Sequence, residues 1–587
     1  MKQVKSIFLT ALAALALAAC SNNEEVDTGG PDSPVPTGKE TYVSFSFKVE
    51  GSTANTRTAD TPIEGKTDAE EQKVADGRIL IFDEVSGALL NNHEFKVAEG
   101  ATSTIKTTSG NRRIYIITGT DNTNNDKAQI SSKLAALQTT APAATLAQFY
   151  ALMTDEKYTG NLTDDPGMGA GFKELPIVNK FVMSNVADIT AIKTLHADIS
   201  KEESQSSGST TADPNVNRFV FKVQRAVAKA NLKVEMNKGT GLQTADGIFT
   251  LKENATYGLR NLNRSTLYVQ QFINDRQTVN DGDHKSETGL QPHAAFFNVF
   301  DATTDDDMKK PETYLPYYYR GYPINGDGSI AITMKASGSG VATSGNSVYI
   351  SENSNKRQVR GNTTYFGITT QVASIPKEQI AASISYDMDL SKVTSTAASA
   401  NFDNTNGKQS FWYVREIPAD VAGMLVAPVR KVFTTQSVAF EAVNIIFKNA
   451  KQPSIVLTTE GFTDGKYTAS QLMASYNKTV NSQGDGTVTP LNKEDVAVVD
   501  KYIGYYKNGL SYYRLNLYEA TTDATRRHLV RRNHFYNATV TSFSTIGAPT
   551  EEDLDKDPET PVDADVTNVT AIIEVAPWHN VKMEDDL

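Results

Sequence analysis

Cys20 is the chain's one cysteine, and Leu17-Ala18-Ala19 ahead of it read as a lipobox, where a signal peptidase cuts and the freed thiol carries lipid. Met1-Lys2-Gln3-Val4-Lys5 is a short basic start, and Ile7 to Ala19 is an apolar run too short to stay in a bilayer as a permanent helix. A lipid on Cys20 anchors the mature N-terminus. The plainer alternative is an ordinary secretory signal with a chance cysteine. A single cysteine also excludes an internal disulfide. The second reactive position is Arg57. It is the one basic residue in the small, polar stretch Gly51 to Asp60, which suits an arginine-specific protease cutting between Arg57 and Thr58. A plain surface linker is the alternative.

No other residues assemble into chemistry. His93, His196, His284, His293, His528, His534 and His579 lack metal-ligand spacing. Nucleophile-elbow, zinc-protease and phosphate-loop motifs are missing. Asp281-Gly282-Asp283-His284 and Asp305-Asp306-Asp307 are rich in oxygen ligands, but neither has the ligand series of a calcium loop, so linker or hairpin tip is the better reading. Tyr317-Tyr318-Tyr319 would stack on sugar, or form a half-buried strand edge, and the edge is favoured. The expectation is no enzyme, no catalytic residue, no cofactor and no metal.

Composition narrows the class. The chain has 587 residues, too many for one core, so two or more domains are expected. Hydrophobic content of 39% suits folded domains and is too low for a multispanning membrane protein, while a net charge of -12 argues against nucleic acid as a partner.

Two strands stand out. Thr41 to Val49 places Val43, Phe45, Phe47 and Val49 on one side and Tyr42, Ser44, Ser46 and Lys48 on the other. Val566 to Trp578 does the same with Val569, Ala571, Ile573 and Val575, before Pro577 ends the ladder. Between the body of the chain and this last strand runs Pro549 to Asp565, acidic and proline-bearing. It is expected to stay extended as a tether of about 17 residues, reaching at most ~55 Å. A strand on a tether is able to complete another copy of the chain. If the first strand were removed, its groove would expose apolar surface and an unpaired edge, which strand addition repairs. Buried side chains of the Val569 to Val575 kind contribute ~1.5–3 kcal/mol each, less for alanine. Such head-to-tail contact does not close, so it gives filaments.

Between these ends the chain reads as a succession of short strands: Arg78 to Phe82, Arg113 to Ile117, Phe181 to Ser184, Ile248 to Leu251, Ser265 to Val269, Ser347 to Ile350, Phe411 to Val414, Ser511 to Leu517 and Arg532 to Val540. Two short helices broken near Pro142 are expected between Ile130 and Met153. Asn217 to Leu232 is ambiguous, because Phe219, Phe221 and Val223 alternate while Arg225 and Lys229 sit four apart. A polar linker at Asn274 to Thr288 divides the chain in two. The expected fold is mainly β, with two β-sandwich domains in series and short helical insertions. The expected segments are a signal peptide at 1–19, a lipid-anchored propeptide carrying the removable strand at 20–57 and an N-terminal domain at 58–275. A C-terminal domain at 276–548, the tether at 549–565 and the donor strand with its tail at 566–587 complete the chain.

The pattern resembles the fimbrillins of Bacteroidales, the subunits of type V pili, and most of all the shaft subunit of the short, or minor, fimbriae. The resemblance rests on Cys20 with the acidic Glu24-Glu25 after it, on Tyr42 to Val49 followed by Arg57, on Val223 to Ala230, and on Arg532-Asn533-His534-Phe535-Tyr536 with Ile573 to Trp578. It implies Greek-key, transthyretin-like domains and an outer-membrane lipoprotein precursor. It also implies an arginine-specific protease that removes residues up to Arg57 with the first strand. The strand carrying Val569, Ala571, Ile573, Val575 and Trp578 then enters the vacated groove of a neighbour. Implied partners are further copies joined head to tail, accessory tip and anchor subunits, and host or bacterial surface receptors in adhesion and biofilm formation. Two other readings remain open: a monomeric surface lipoprotein that binds carbohydrate or protein, with its last strand on its own sheet, and a fimbrial tip or anchor subunit.

Overall fold

The computed structural model describes residues 38–49, 74–96, 103–119, 131–155 except 141, 157–159, 181–185, 191–206, 213–236, 241–269 except 264, 318–319, 330–336, 347–353, 359–385, 394–414, 431–449, 457–458, 477–479, 488–490, 498–518, 527–562 except 559, and 568–577. The lipobox with Cys20, the cleavage position at Arg57 and Thr58, the linker at 274–288, the Asp-rich stretches 281–284 and 305–307, and Trp578 lie outside these residues.

The chain is mainly β, and most of its strands fall into two large sheets. The first has eight strands: β1 (Glu40–Val49), β2 (Gly77–Asp83), β3 (Leu89–Phe95), β4 (Ser103–Thr108), β5 (Gly110–Thr118), β6 (Met183–Ser184), β7 (Ile192–Leu195) and β8 (Arg218–Arg225). Their order is β3-β2-β5-β6-β8-β1-β4, with β7 also on β5. The free ends approach each other, since Asn91 Nδ2 of β3 donates to the Lys106 carbonyl of β4 at 2.9 Å. The expected helices are present at residues 131–135 and Leu146–Asp155, and Leu134 and Phe149 bury against this sheet.

The second sheet has ten strands: β9 (Val227–Met236), β10 (Thr250–Leu251), β11 (Asn254–Arg260), β12 (Ile330–Ala336), β13 (Val348–Ser351), β14 (Tyr365–Ile375), β15 (Phe402–Asp403), β16 (Leu510–Asn516), β17 (His534–Phe543) and β18 (Val569–Pro577). The path runs β10-β14-β11-β12-β9-β17-β18, with β13 on β9 and both β15 and β16 on β14. A smaller three-stranded sheet of residues 411–414, 431–433 and 503–506 packs against the helix Gln436–Asn449. That helix buries Ala439, Phe440, Val443 and Ile446, the three- and four-residue spacing of one helical face, around Trp412.

The sequence places the change of domain at the linker 274–288, but the sheets change at Ala226. Arg225 ends β8 in the first sheet and Val227 begins β9 in the second. This accounts for the mixed spacing of Asn217 to Leu232. The first half alternates as a strand with one covered face. From Val227 to Leu232 every residue is buried, because β9 is covered on both faces. The strand expected at Ile248 to Leu251 belongs to the second sheet, as β10. One apolar core runs from Val43 to Ile573 through both sheets.

The acidic segment also departs from expectation. Within 549–562 the chain is docked on the second sheet, with Leu554 and Val562 buried. Arg360 Nη2 and Arg514 Nη1 both donate to the Leu554 carbonyl at 3.1 Å, Tyr365 Oη donates to Asp555 Oδ1 at 2.8 Å, and Lys556 Nζ donates to Asp500 at 2.6 Å. Composition gave the segment too few apolar groups to fold by itself. The fold supplies Arg360, Arg514 and Tyr365 to the segment and Asp500 to the segment's own Lys556, and those partners lie far away in sequence.

Candidate functional site

The first strand occupies an inner position of its sheet. β1 pairs antiparallel with β4, Val43 opposite Ile105 and Phe45 opposite Ser103. On its other side it pairs parallel with β8, Ser44 opposite Arg218 and Val49 opposite Val223. Glu40 to Phe45 pair with β4 and Ser44 to Val49 pair with β8, so β1 is bonded on both sides at Ser44 and Phe45. Val43 and Phe45 are fully buried, and Phe47 and Val49 are partly buried against the same core. The Phe45 ring lies 5.7 Å from that of Phe221, and Phe47 stacks on Phe95 at 4.8 Å. Burying such side chains contributes about 1.5–3 kcal/mol each.

The opposite face of β1 is covered at Ser44. Ser200 caps the short helix Lys201–Gln205, and Glu203 closes the capping box, its carboxyl held below its ordinary value by the Ser200 backbone amide. The helix sets Ser204 Oγ 2.9 Å from Ser44 Oγ, while Thr104 Oγ1 of β4 sits 3.0 Å from Ser44 Oγ on the other side. Ser44, which alternation assigns to the outer face, is fully buried for this reason.

Asn217 completes a polar clamp at the start of β1. It sits in the left-handed backbone region at φ 53°, just before β8, and is fully buried. Its Nδ2 lies 2.9 Å from Thr41 Oγ1 and 3.1 Å from the Tyr42 carbonyl, while its Oδ1 accepts from the His196 backbone at 2.7 Å. Thr41 Oγ1 donates to the His196 carbonyl at 2.7 Å. The mouth of the groove is fixed by a buried ion pair, Arg112 Nη1 to Asp83 Oδ2 at 2.5 Å. Arg112 also donates to the Thr108 carbonyl at 3.1 Å and to the Ser109 carbonyl. Ser109 in turn holds Lys39, since its amide donates to the Lys39 carbonyl at 2.8 Å and its Oγ accepts from the Lys39 amide at 3.0 Å. Gly38 enters at φ +132°, where a Cβ would meet the Ser109 carbonyl oxygen at 2.1 Å. Outside, Lys106 and Glu40 pair at 2.6 Å, and that hydrogen bond raises the lysine's pKa.

Sequence reading found the apolar side of β1 and missed Thr41, Ser44, Asn217, Ser204 and the Asp83–Arg112 pair. The turn-forming run Asp213-Pro214-Asn215 before Asn217 is the signal that was available for the clamp.

The last strand is held differently. β18 pairs antiparallel with β17 alone among the described residues, from Phe543 opposite Val569 to His534 opposite Pro577. Val569 and Ile573 are buried and Ala571 packs beside them, so the expected apolar face faces this chain's own core. Ile572, on the other face, is 61% exposed. Val575 lies opposite Tyr536 in the register. The arrangement is the one the monomeric reading expects: the strand lies on its own sheet, at the edge.

No described group of His, Cys, Asp or Glu is arranged to hold a metal ion. Residues 504–584, which include β16, β17 and β18, match the family described as major fimbrial subunit protein type IV, fimbrillin, C-terminal. No curated protein matches the chain. Two of the solved structures that the chain is similar to are from Porphyromonas gingivalis. One is a fimbrilin (fimA) from Porphyromonas gingivalis W83, at 11% identity and a TM-score of 0.37, covering 92% of this chain and 99% of that one. The other is the tip fimbrial protein Mfa3 from Porphyromonas gingivalis with C-terminal truncation, at 12% identity and a TM-score of 0.31, covering 91% of this chain and 99% of that one.

Proposed function

The chain carries a fimbrillin C-terminal region at residues 504–584, and from that premise we propose that it is a structural subunit of a cell-surface fimbria, built by protease-triggered strand exchange. In this reading the precursor is exported as a lipoprotein on Cys20, and cleavage between Arg57 and Thr58 frees the lipid anchor together with β1. The β18 of a neighbour then fills the slot between β4 and β8. The two large sheets support Greek-key, transthyretin-like sandwich domains in series. Further copies, tip and anchor subunits, an arginine-specific protease and surface receptors are the partners.

One observation carries the reading: β1 is inserted between two strands and precedes Arg57 in the sequence, whereas β18 sits at an edge with one neighbour. Removing β1 opens a slot with two unpaired edges and an apolar floor, while β18 is able to leave by breaking one ladder. The donor's apolar face is also smaller than that of β1, because Val569, Ala571, Ile573 and Val575 include no phenylalanine where β1 has Phe45 and Phe47. Losing a buried phenyl costs about 3–5 kcal/mol. A donor therefore cannot displace β1 by competition, and cutting must come first.

The test is electron microscopy of cells carrying Arg57→Ala. Filaments that persist, with residues 41–49 retained in the purified fibre, would end the proposal. The monomeric surface lipoprotein is the second reading, favoured by the burial of Val569 and Ile573 on the chain's own sheet. It predicts that deleting residues 566–587 exposes this core and lowers monomer stability, and that no filaments form in either case. A tip or anchor subunit is separated from both by the mature N-terminus: Thr58 for a shaft, a lipidated Cys20 for an anchor.

A further inference from the structure

The slot is lined by more than apolar groups, and its polar fixtures discriminate between registers of an incoming strand. Resting on the strand-exchange reading, we propose that the donor enters in the direction of β1 with Val569 in the place of Val43, so that Thr567 replaces Thr41, Thr570 replaces Ser44, Ile572 replaces Ser46, Glu574 replaces Lys48 and Val575 replaces Val49.

Three features of the slot support this placement. First, Ser204 Oγ and Thr104 Oγ1 converge on Ser44 Oγ in a fully buried position, and Asn217 Nδ2 and the His196 carbonyl converge on Thr41 Oγ1. The aligned donor has hydroxyls at both places, Thr570 and Thr567, three residues apart as Thr41 and Ser44 are. Second, Ser46 Oγ is enclosed with no hydrogen-bond partner, and an isoleucine there removes an unsatisfied hydroxyl while covering Ile572, which is 61% exposed in the chain's own fold. Third, position 48 is the register partner of Lys222 in the ladder, and Glu574 at that position brings a carboxylate opposite a lysine.

Other placements fail on the same groups. Sliding the donor forward by two residues sets Ile572 against Ser204 Oγ and puts Val569 among the partners of Thr41. Sliding it back by two buries Asp565 beside the His196 carbonyl and places Thr567 in the apolar site of Val43. Reversing its direction, with Val575 at Val43, lays Glu574 into the Ser44 site and Pro577 at Thr41. A shift by one residue turns the apolar face outward. Each of these leaves a buried polar group unpaired or buries a charge. Thr570 is exposed where β18 lies on its own sheet, so its hydroxyl has a role in the neighbour's slot that it lacks at home.

The test uses the full chain assembled into filaments on cells. Ser204→Cys is combined in turn with Asn568→Cys, Thr570→Cys or Ile572→Cys, and purified filaments are resolved without reductant. A ladder of covalent multimers is expected for the 570 pair alone. A ladder at 568 or 572 instead overturns the register and leaves strand exchange standing; filaments with no ladder from any pair overturn the register as well, and filaments that still form after residues 566–587 are deleted overturn strand exchange itself. Should cysteine variants not assemble, charge reversal decides: Glu574→Lys is expected to weaken assembly by up to about fivefold, and adding Lys222→Glu to restore it. Absence of restoration overturns the register.

Discussion

Arg225 Nη1 donates to Asn533 Oδ1 at 2.9 Å, and both side chains are buried. Arg225 is the last residue of the first sheet's β8, and Asn533 immediately precedes β17 of the second. The Asn533 amide donates to the Val227 carbonyl at 2.8 Å, across the point where the chain changes sheets. The Arg225 guanidinium also lies 5.9 Å from the Phe181 ring. β17 is the strand that carries β18, so this contact ties the slot-bearing sheet to the donor-bearing one.

Asn533→Ala is therefore expected to destabilise the chain by about 2 kcal/mol from the lost charge-assisted hydrogen bond. Asn533 has φ 58°, so alanine adds left-handed strain of about 1–2 kcal/mol. Asn533→Gly separates the two effects, because it loses the side chain but keeps the backbone conformation. Urea denaturation of the three proteins should rank wild type first, then glycine, then alanine.

Asp83→Ala should be the more damaging change near the slot. It leaves Arg112 buried without its carboxylate, a loss of about 3–5 kcal/mol. Arg112 also holds the Ser109 turn that receives Lys39, so the loss should spread into β1. Hydrogen exchange is expected to speed up at the amides of Tyr42 and Ser44, which donate to the Ile199 and Asn217 carbonyls, before it does so in β17.

Phe45→Ala makes β1 a plug no better than the donor. It should cost the precursor about 3–5 kcal/mol and permit oligomers to form without cleavage at Arg57. Ala571→Leu is the converse change, filling the space in the neighbour's slot. Filaments of that variant should dissociate at higher temperature than wild type. Size-exclusion chromatography of the first variant and thermal dissociation of the second check the pair.

High pH should release the docked acidic segment. Burial, with Asp555 beside it, raises the Tyr365 phenol above its ordinary value, and Tyr257 and Tyr513 are raised by burial too. Lys556 is raised by Asp553 and Asp500, which outweigh its own burial. A group raised on folding contributes stability that is present below its unfolded pKa and is lost as pH rises towards the folded one. The phenols and Lys556 thus act together, and stability should be flat near neutrality and fall above about pH 10. Tyrosine ionisation followed by ultraviolet absorbance should be delayed, then cooperative with unfolding; independent titration of all tyrosines near pH 10 would contradict this.

Much of the outline was legible in the residues themselves. Val43, Phe45, Val569 and Ile573 show their faces through a period of two, a local property of the strand backbone, and all four are buried as that period demands. The helix near Phe149 and the strands at 78–82 and 113–117 follow from equally local signals. The docking of Leu554 was not legible, because its partners Arg360 and Arg514 lie 194 and 40 residues away. Nor was the burial of Ser44, which depends on Ser204 lying 160 residues further on.

The sequence alone thus determined which segments are strands and which side of each is apolar, since both depend on the order of neighbouring side chains. Only the tertiary structure decided that β1 is an inner strand and β18 an edge strand, that the sheets part at Ala226, and that hydroxyls line the slot. Those facts depend on which distant backbones share hydrogen bonds, and local periodicity is the same whether a strand has one neighbour or two.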